Sequence, residues 1–303
     1  MKCFYHNDLD GRCAAFWVSL SVGIKDLSLP SELIEINYNI PFPFKKIKAE
    51  EQVWIVDYSI SPEEMNRLLK ITTDITWIDH HKTAIEKYKD FPIKIRGLRK
   101  VGLSGCELTY LYIHQLTARG DGCIKKLNNK HIKEIPLFTQ FVGDWDCWRF
   151  THGEQRVRHF KTGIEMCKHS YKDNIWFDLL TEKISIDDIC KKGSNGLLFQ
   201  KHLAKKLIKS WSFPVNFEGY NCIALNAGCC NSDYFDSVSE EYDIYITFIS
   251  DGSKWIVSLY SKNSIDVSKI AKKYDGGGHK GASGFVCSNL PFKLLDKPKS
   301  KED

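Results

Sequence analysis

The chain has 303 residues, room for two domains with separate cores. With 43% hydrophobic and 27% charged residues its composition is that of an ordinary globular protein, which excludes a disordered or low-complexity chain. A formal charge of +5 suits a protein that handles small anions or short nucleic acid and is too weak for one that wraps a long polyanion. Eleven cysteines, odd in number and without a C-x-x-C pair, argue for reduced thiols rather than a disulfide framework. The start MKCFYHNDLDGR becomes charged too soon for an export signal, and the longest apolar run, 13–24, falls short of the roughly 20 residues of a membrane span. The expectation is a cytoplasmic protein with no membrane contact.

CFYH, from Cys3, reads as a strand and AAFWVSLSV, from Ala14, as a buried helix. ELIEINY, from Glu32, and QVWIVDYS, from Gln52, are the second and third strands. SPEEMNRLLK opens a helix with Ser61 as N-cap, Pro62 at the first helical position and acids in the first turn. DITWIDHH, from Asp74, is a fourth strand. Strands alternating with helices predict a mainly parallel sheet covered on both faces, a doubly wound α/β domain. Helices follow over 105–116 and 132–142. Ahead of the first, Ser104 and Glu107 have the spacing of a capping box, the alternative being a helix N-terminus that meets phosphate.

The segment 196–211, GLLFQKHLAKKLIKSW, sets Leu197, Ala204, Leu207, Ile208 and Trp211 on one helical stripe. Lys201, Lys205, Lys206 and Lys209 opposite read as the solvated face of a linker helix rather than a phosphate-steering wall. Beyond Pro214 come the strands YNCIALNA, YDIYITFI and KWIVSLYS, with DGS as a hairpin turn between the last two. A helix, DVSKIAKKY, and the glycine-rich GGGHKGASGFV, leading into a strand, complete a smaller α+β domain. The predicted boundaries are 1–190 for the α/β domain, 191–212 for the linker helix and 213–303 for the second domain.

His6-Asn7-Asp8-Leu9-Asp10-Gly11 directly follows the first strand. In an open parallel sheet ligands bind beyond the carboxyl ends of the strands, so His6, Asp8 and Asp10 should meet there. Asp57 ends the third strand, Asp79, His80 and His81 end the fourth, and GDWD offers Asp144 and Asp146 after a helix. Taken singly, each is an ordinary turn former, cap or satisfied polar residue. Together they bring many carboxylates to one edge of the sheet, which is costly unless cations neutralise them. The reading is a dinuclear centre of two divalent cations. Mn²⁺ fits mixed carboxylate and imidazole ligands best, with Mg²⁺ or Co²⁺ behind it. Two such ions, roughly 3.5–4 Å apart, activate a water and clamp both oxygens of an in-line displacement at phosphorus. Asp57, alone at its strand end, is the natural bridge. Successive glycines at 276–278 can cradle an anion with backbone N–H groups, or simply make a turn; His279 adds a donor and Ser283 a hydroxyl. Trp145 and Trp148 can stack on a base, although packing is the first reading for a chain with eight tryptophans.

HNDLDG, VDYS, IDHHKTA, GDWDCW and GGGHKGASG, in this order over nearly the whole chain, resemble the DHH/DHHA1 phosphoesterase family and are closest to its stand-alone oligoribonuclease (nanoRNase) branch. The resemblance implies that His6 and Asp8 bind one metal, Asp10 and His80 the other, with Asp57 between them and Asp144 or Asp146 as the last ligand. It implies catalytic roles for Asp57, Asp79 and His81, the last contacting the scissile phosphate or protonating the leaving group. It also implies that Gly276, Gly277, Gly278, His279 and Ser283 grip the nucleotide, so that the second domain clamps substrate across an interdomain cleft. The expected activity is hydrolysis of short RNA or DNA oligonucleotides to mononucleotides. A 3′-phosphoadenosine-5′-phosphate phosphatase or a cyclic-dinucleotide phosphodiesterase would use the same centre. A catalytically silent nucleotide sensor is the reading from a different class. The sequence leaves the oligomeric state open.

Overall fold

Short apolar strands without hairpin turns between them have to pair in parallel through crossovers. The computed structural model describes residues 1–25, 32–38, 40–119, 129–261 and 265–294. In it β1 (Lys2–His6), β2 (Glu32–Ile36), β3 (Val53–Val56) and β4 (Ile75–Ile78) form a wholly parallel sheet in the order β2-β1-β3-β4. The carboxyl ends of β1, β3 and β4 therefore share one edge. Successive side chains serve opposite faces. Cys3, Tyr5, Trp54, Val56 and Ile78 enter one apolar cluster, and Phe4, Val53, Ile55, Ile75 and Trp77 the other. Both faces are buried, as the sequence predicts.

The helices of this half are α1 (Leu9–Lys25), α2 (Pro62–Leu69), α3 (Lys82–Lys87), α4 (Gly105–Arg119), α5 (Asn129–Lys133), α6 (Leu137–Asp146), α7 (Glu154–Glu165), α8 (Asn174–Leu180) and α9 (Ile186–Trp211). Leu108 and Leu111 of α4, Phe138 and Phe141 of α6, Phe160 of α7 and Trp176 of α8 fill the first cluster. Met65 and Leu68 of α2 cover the opposite face. The start of α2 is the predicted one: the Glu64 N–H donates to the Ser61 hydroxyl, and the Ser61 N–H donates to the Glu64 carboxylate at 2.9 Å. Such a cap is worth about 1 kcal/mol.

Three expectations need correction. The single helix over 132–142 is two helices, because Pro136 lacks an N–H and drives Ile135 out of the helical region. The linker helix begins at Ile186 rather than at 191. Of its predicted apolar stripe Ala204 is buried, while Trp211, the last helical residue, is 60% exposed.

The chain forms two compact units, Met1–Gly196 and Leu197–Asp303, with the division inside α9. The second unit has a seven-stranded mixed sheet of β5 (Ser212–Phe217), β6 (Tyr220–Asn226), β7 (Ile244–Ser250), β8 (Trp255–Tyr260), β9 (Gly277–His279), β10 (Ala282–Cys287) and β11 (Lys293–Leu294), in the order β11-β5-β6-β7-β8-β10-β9. Among the described residues of this sheet only β6 and β7 pair in parallel. The Asp251 side chain accepts from the N–H groups of Ser253 and Lys254, which closes the predicted β7–β8 hairpin. Helix α10 (Val267–Lys272), capped by Asp266, packs Val267, Ile270 and Ala271 onto this sheet. Among the described residues every cysteine is a free thiol, and no helix is long and apolar enough to cross a membrane.

Candidate metal centre

Three strand ends and one helix end converge at the carboxyl edge of the parallel sheet. His6 closes β1, and the chain turns at once into α1. The Gly11 N–H donates to the Asp8 carboxylate at 2.9 Å. A Cβ on Gly11 would stand 2.1 Å from the His6 carbonyl oxygen, so only glycine allows this turn. Asp57 follows β3 with a left-handed φ of 51°. Its N–H donates to the Ile78 carbonyl at 2.9 Å, which fixes it against the end of β4. Gly105, at the start of α4, lies so close that a Cβ there would meet the Asp57 Cβ at 2.4 Å. Asp79, His80 and His81 follow β4, and Asp146 is the last residue of α6.

The distances sort these groups around Asp57. His6 Nδ1 is 2.6 Å from an Asp8 carboxylate oxygen and 4.0 Å from Asp57 Oδ2. On the other side His80 Nε2 is 3.2 Å from Asp57 Oδ1, 3.4 Å from Asp146 and 3.9 Å from Asp10. The two oxygens of one carboxylate thus face two separate imidazole–carboxylate groups. Asp10 is further held by the first turn of α4, accepting from the Gly105 N–H at 2.6 Å and the Cys106 N–H at 3.0 Å. Amide donors at a helix N-terminus stabilise an ionised carboxylate.

Asp57 is 1% exposed, and neither of its oxygens has a hydrogen-bond partner. Burial, and then the charges of Asp10 and Asp8, push its carboxyl well above the usual range. Burial with the same two neighbours raises Asp146 to about 8. Asp8 behaves differently: burial acts to raise it, but the hydrogen bond and charge of His6 outweigh that and hold it low. Burial also lowers His80, keeping its imidazole neutral and able to act as an electron-pair donor. Orphaned, mutually repelling carboxylate oxygens beside neutral imidazole are the donor set of a hard-to-borderline divalent cation. Donor atoms of His6, Asp8 and Asp57 lie within 4.8 Å of one another, as do those of His80, Asp146 and Cys147. Burial and Asp146 raise the Cys147 thiol, so it is a poor ligand beside these carboxylates.

Asp79 plays another part. It is fully buried and accepts from the Ser59 hydroxyl, from the His80 N–H at 2.8 Å and from His81 Nδ1 at 2.7 Å. Through this last bond it orients the His81 ring. The His81 ring is partly exposed, and its hydrogen bond to Asp79 raises its pKa.

Asp144 is not brought to the centre. It accepts from the Thr151 hydroxyl at 2.7 Å and from the His152 N–H at 3.0 Å, and pairs with Arg149 at 3.3 Å. Arg149 in turn binds Glu107 at 2.8 Å. Glu107 accepts from the Ser104 N–H at 2.8 Å, so the predicted capping box exists and is buried. Residues two apart on a helix do not share a face, so α6 can aim Asp146 at the centre only by turning Asp144 away. Trp148 likewise departs from its expected packing role: it is 62% exposed, with its ring 5.4 Å from that of Trp145.

In the second unit the glycine-rich segment forms the β9–β10 hairpin. The Gly276 N–H is spent on the Ala271 carbonyl at 2.9 Å, and the Ser283 hydroxyl donates to the His279 carbonyl at 2.7 Å. Both groups are thus engaged within the unit. Gly277, Gly278 and His279 are exposed. Ser59, the Gly105 and Cys106 amides, and the Thr151–Arg149 network escaped sequence reasoning. Only the serine in VDYS left any local trace.

Residues 233–298 match the DHHA1 domain family. Among characterised and curated proteins, the chain is 29% identical over 278 residues to uncharacterized protein R106 of Acanthamoeba polyphaga mimivirus, a match covering 86% of this chain and 59% of the viral protein. The chain therefore spans less than two thirds of that relative. It is 24% identical over 317 residues to oligoribonuclease NrnB of Bacillus subtilis (strain 168), covering 96% of this chain and 74% of that protein. Its fold is similar to that of exonuclease RecJ bound to manganese, with a TM-score of 0.51 and 13% identity over 94% of this chain and 85% of the other.

Proposed function

We propose that this chain, whose residues 233–298 match the DHHA1 domain family, is a DHH/DHHA1 phosphoesterase that hydrolyses the phosphodiester bonds of short oligonucleotides to mononucleotides. The observation that carries the proposal is the buried, partnerless Asp57 carboxylate with an imidazole–carboxylate group facing each oxygen. His6, Asp8 and Asp57 would hold one divalent cation, and Asp57, Asp10, His80 and Asp146 the second, with Mn²⁺ best matched to the mixed donors. When bound, the cations supply Lewis-acid charge to water and to a phosphoryl oxygen.

The chain's own groups do the rest. The α4 amides aim Asp10, and the His6 hydrogen bond keeps Asp8 ionised and aimed. Asp79 fixes His81 through Nδ1 and leaves Nε2 to carry a proton. With its pKa raised, His81 is a general acid near neutral pH. Water attacks phosphorus and releases a proton to solvent, the bond from phosphorus to the sugar oxygen breaks, that oxygen takes the His81 proton, and solvent reprotonates His81. In the second unit the exposed His279 offers its imidazole to a nucleotide phosphate. The similarity to an oligoribonuclease over 96% of the chain supports short RNA as the substrate.

The test is product analysis with Mn²⁺ on a two-nucleotide RNA, a twenty-nucleotide RNA, a cyclic dinucleotide and 3′-phosphoadenosine-5′-phosphate at matched concentration. Rapid mononucleotide release from the short RNA is expected. Preference for either of the last two would keep the centre and replace the substrate; silence on all four would end the hydrolase proposal.

A further inference from the structure

Among the described residues two cavities flank the centre, and they open on different chemistry. One, of about 330 Å³, is lined by Asp8, Asp10 and Asp146 together with Arg12 and Lys161. The other, of about 650 Å³, is lined by His81 but by none of the proposed metal ligands. Its size falls within the roughly 300–1,000 Å³ of small-ligand sites. Its walls are Tyr38, Ile40 and Pro41 on one segment, with Ser59, Thr83 and Lys87 from others.

Tyr38 and Ile40 are 54% and 60% exposed, large apolar surfaces next to a polar centre. The Tyr38 ring is nevertheless held in place. It stacks on buried Tyr58 with centroids 4.4 Å apart and planes within 20°, and its phenolic oxygen accepts from the Ser59 N–H at 3.3 Å. It stands edge-on to His81, 6.4 Å away, and 5.4 Å from His6. A pre-positioned, exposed aromatic ring beside hydroxyl groups is a stacking platform for a nucleobase.

We infer that this cavity is the subsite for the leaving nucleoside, with its base stacked on Tyr38 and covered by Ile40. The inference rests on the phosphodiesterase proposal, and the link is His81. The His81 ring stands 4.5 Å from that of His80 at the centre, and of the two cavities only this one is lined by it. The lining also suits a nucleoside better than a second phosphate: its one lysine, Lys87, is accompanied by Glu64.

The experiment compares wild type, Tyr38→Ala, Tyr38→Phe and Ile40→Asp, with Mn²⁺, on a two-nucleotide RNA and on a nucleoside monophosphate methyl ester, whose leaving group has no base. In parallel, quenching of 2-aminopurine riboside is measured without turnover. Tyr38→Ala should lower the ratio of kcat/KM between dinucleotide and methyl ester by about five- to 150-fold, the span of one base–aromatic stack, mainly through KM. Tyr38→Phe should keep the ratio, Ile40→Asp should lower it in the same sense, and saturable quenching should be lost in Tyr38→Ala. Equal losses on both substrates, or an unchanged ratio, would overturn the subsite. If wild type cleaves neither substrate the hydrolase proposal fails instead, and the quenching alone then decides the subsite.

Discussion

Replacing Asp57 with asparagine should stabilise the metal-free protein and abolish its response to metal. Asparagine is the right probe because the position has φ 51°, a left-handed conformation that asparagine tolerates. An alanine there adds a backbone cost of about 1–2 kcal/mol that obscures the result. In wild type the carboxylate is buried, unpartnered and pushed up by burial and by Asp10 and Asp8. An uncompensated buried charge costs several kcal/mol, whereas an unsatisfied buried amide costs roughly 1–3 kcal/mol. The difference, about 2 kcal/mol in favour of the variant, corresponds to a rise in Tm of about 4–8 °C for the unit that carries it. With Mn²⁺ at a hundred times its Kd, wild type should gain about 2.7 kcal/mol per site, and the variant should gain almost none. Thermal unfolding at pH 8, in EDTA and across a Mn²⁺ titration, reads both effects, and activity on a two-nucleotide RNA should fall more than about a hundredfold, beyond the loss seen for residues that merely support a ligand. A metal-free variant less stable than wild type, or one that keeps the full Mn²⁺ shift, would refute the bridging assignment.

The remaining predictions address the neighbours of Asp57. In EDTA, stability should fall between about pH 4 and pH 8, because the raised Asp57 and Asp146 carboxyls keep protons in the folded state that the unfolded chain has released. The Mn²⁺-induced rise in Tm should grow over the same window, since ligands bind metal deprotonated; an EDTA Tm that climbs with pH there would contradict this. Asp146→Asn should lower Mn²⁺ stoichiometry in equilibrium dialysis, whereas Asp144→Asn should leave it intact while destabilising the fold by about 3–5 kcal/mol through its buried pairs. Asp79→Asn should retain metal binding but lower kcat by about 10²–10⁴. It should also move the alkaline limb of the kcat–pH profile downward, since His81 loses the hydrogen bond that raises its pKa; an unmoved limb would remove His81 as the acid.

How much of this was visible in the sequence depends on how local each cause is. His6, Asp8, Asp10, Asp57 and His80 could be placed because parallel pairing fixes where strand ends lie, and HNDLDG, VDYS and DHH each sit at one. The choice between Asp144 and Asp146 was hidden by a boundary. Once α6 is known to run through residue 146 the two must point apart, but a helix thought to end at 142 leaves both open. What engages Gly276 and Ser283 is less local. Their groups are used up by the end of α10 and by the β9–β10 pairing, which the residues at 276–283 do not announce. The cavity beside His81 is the extreme case, since its walls come from three segments, around 38–42, 58–64 and 81–87, that meet only when β2, β3 and β4 take their places in the sheet. Candidate metal ligands are legible because a cation would demand particular donors at particular ends. A nucleobase asks only for a flat apolar ring and room beside it, and many tyrosines in a sequence satisfy that until the fold selects one.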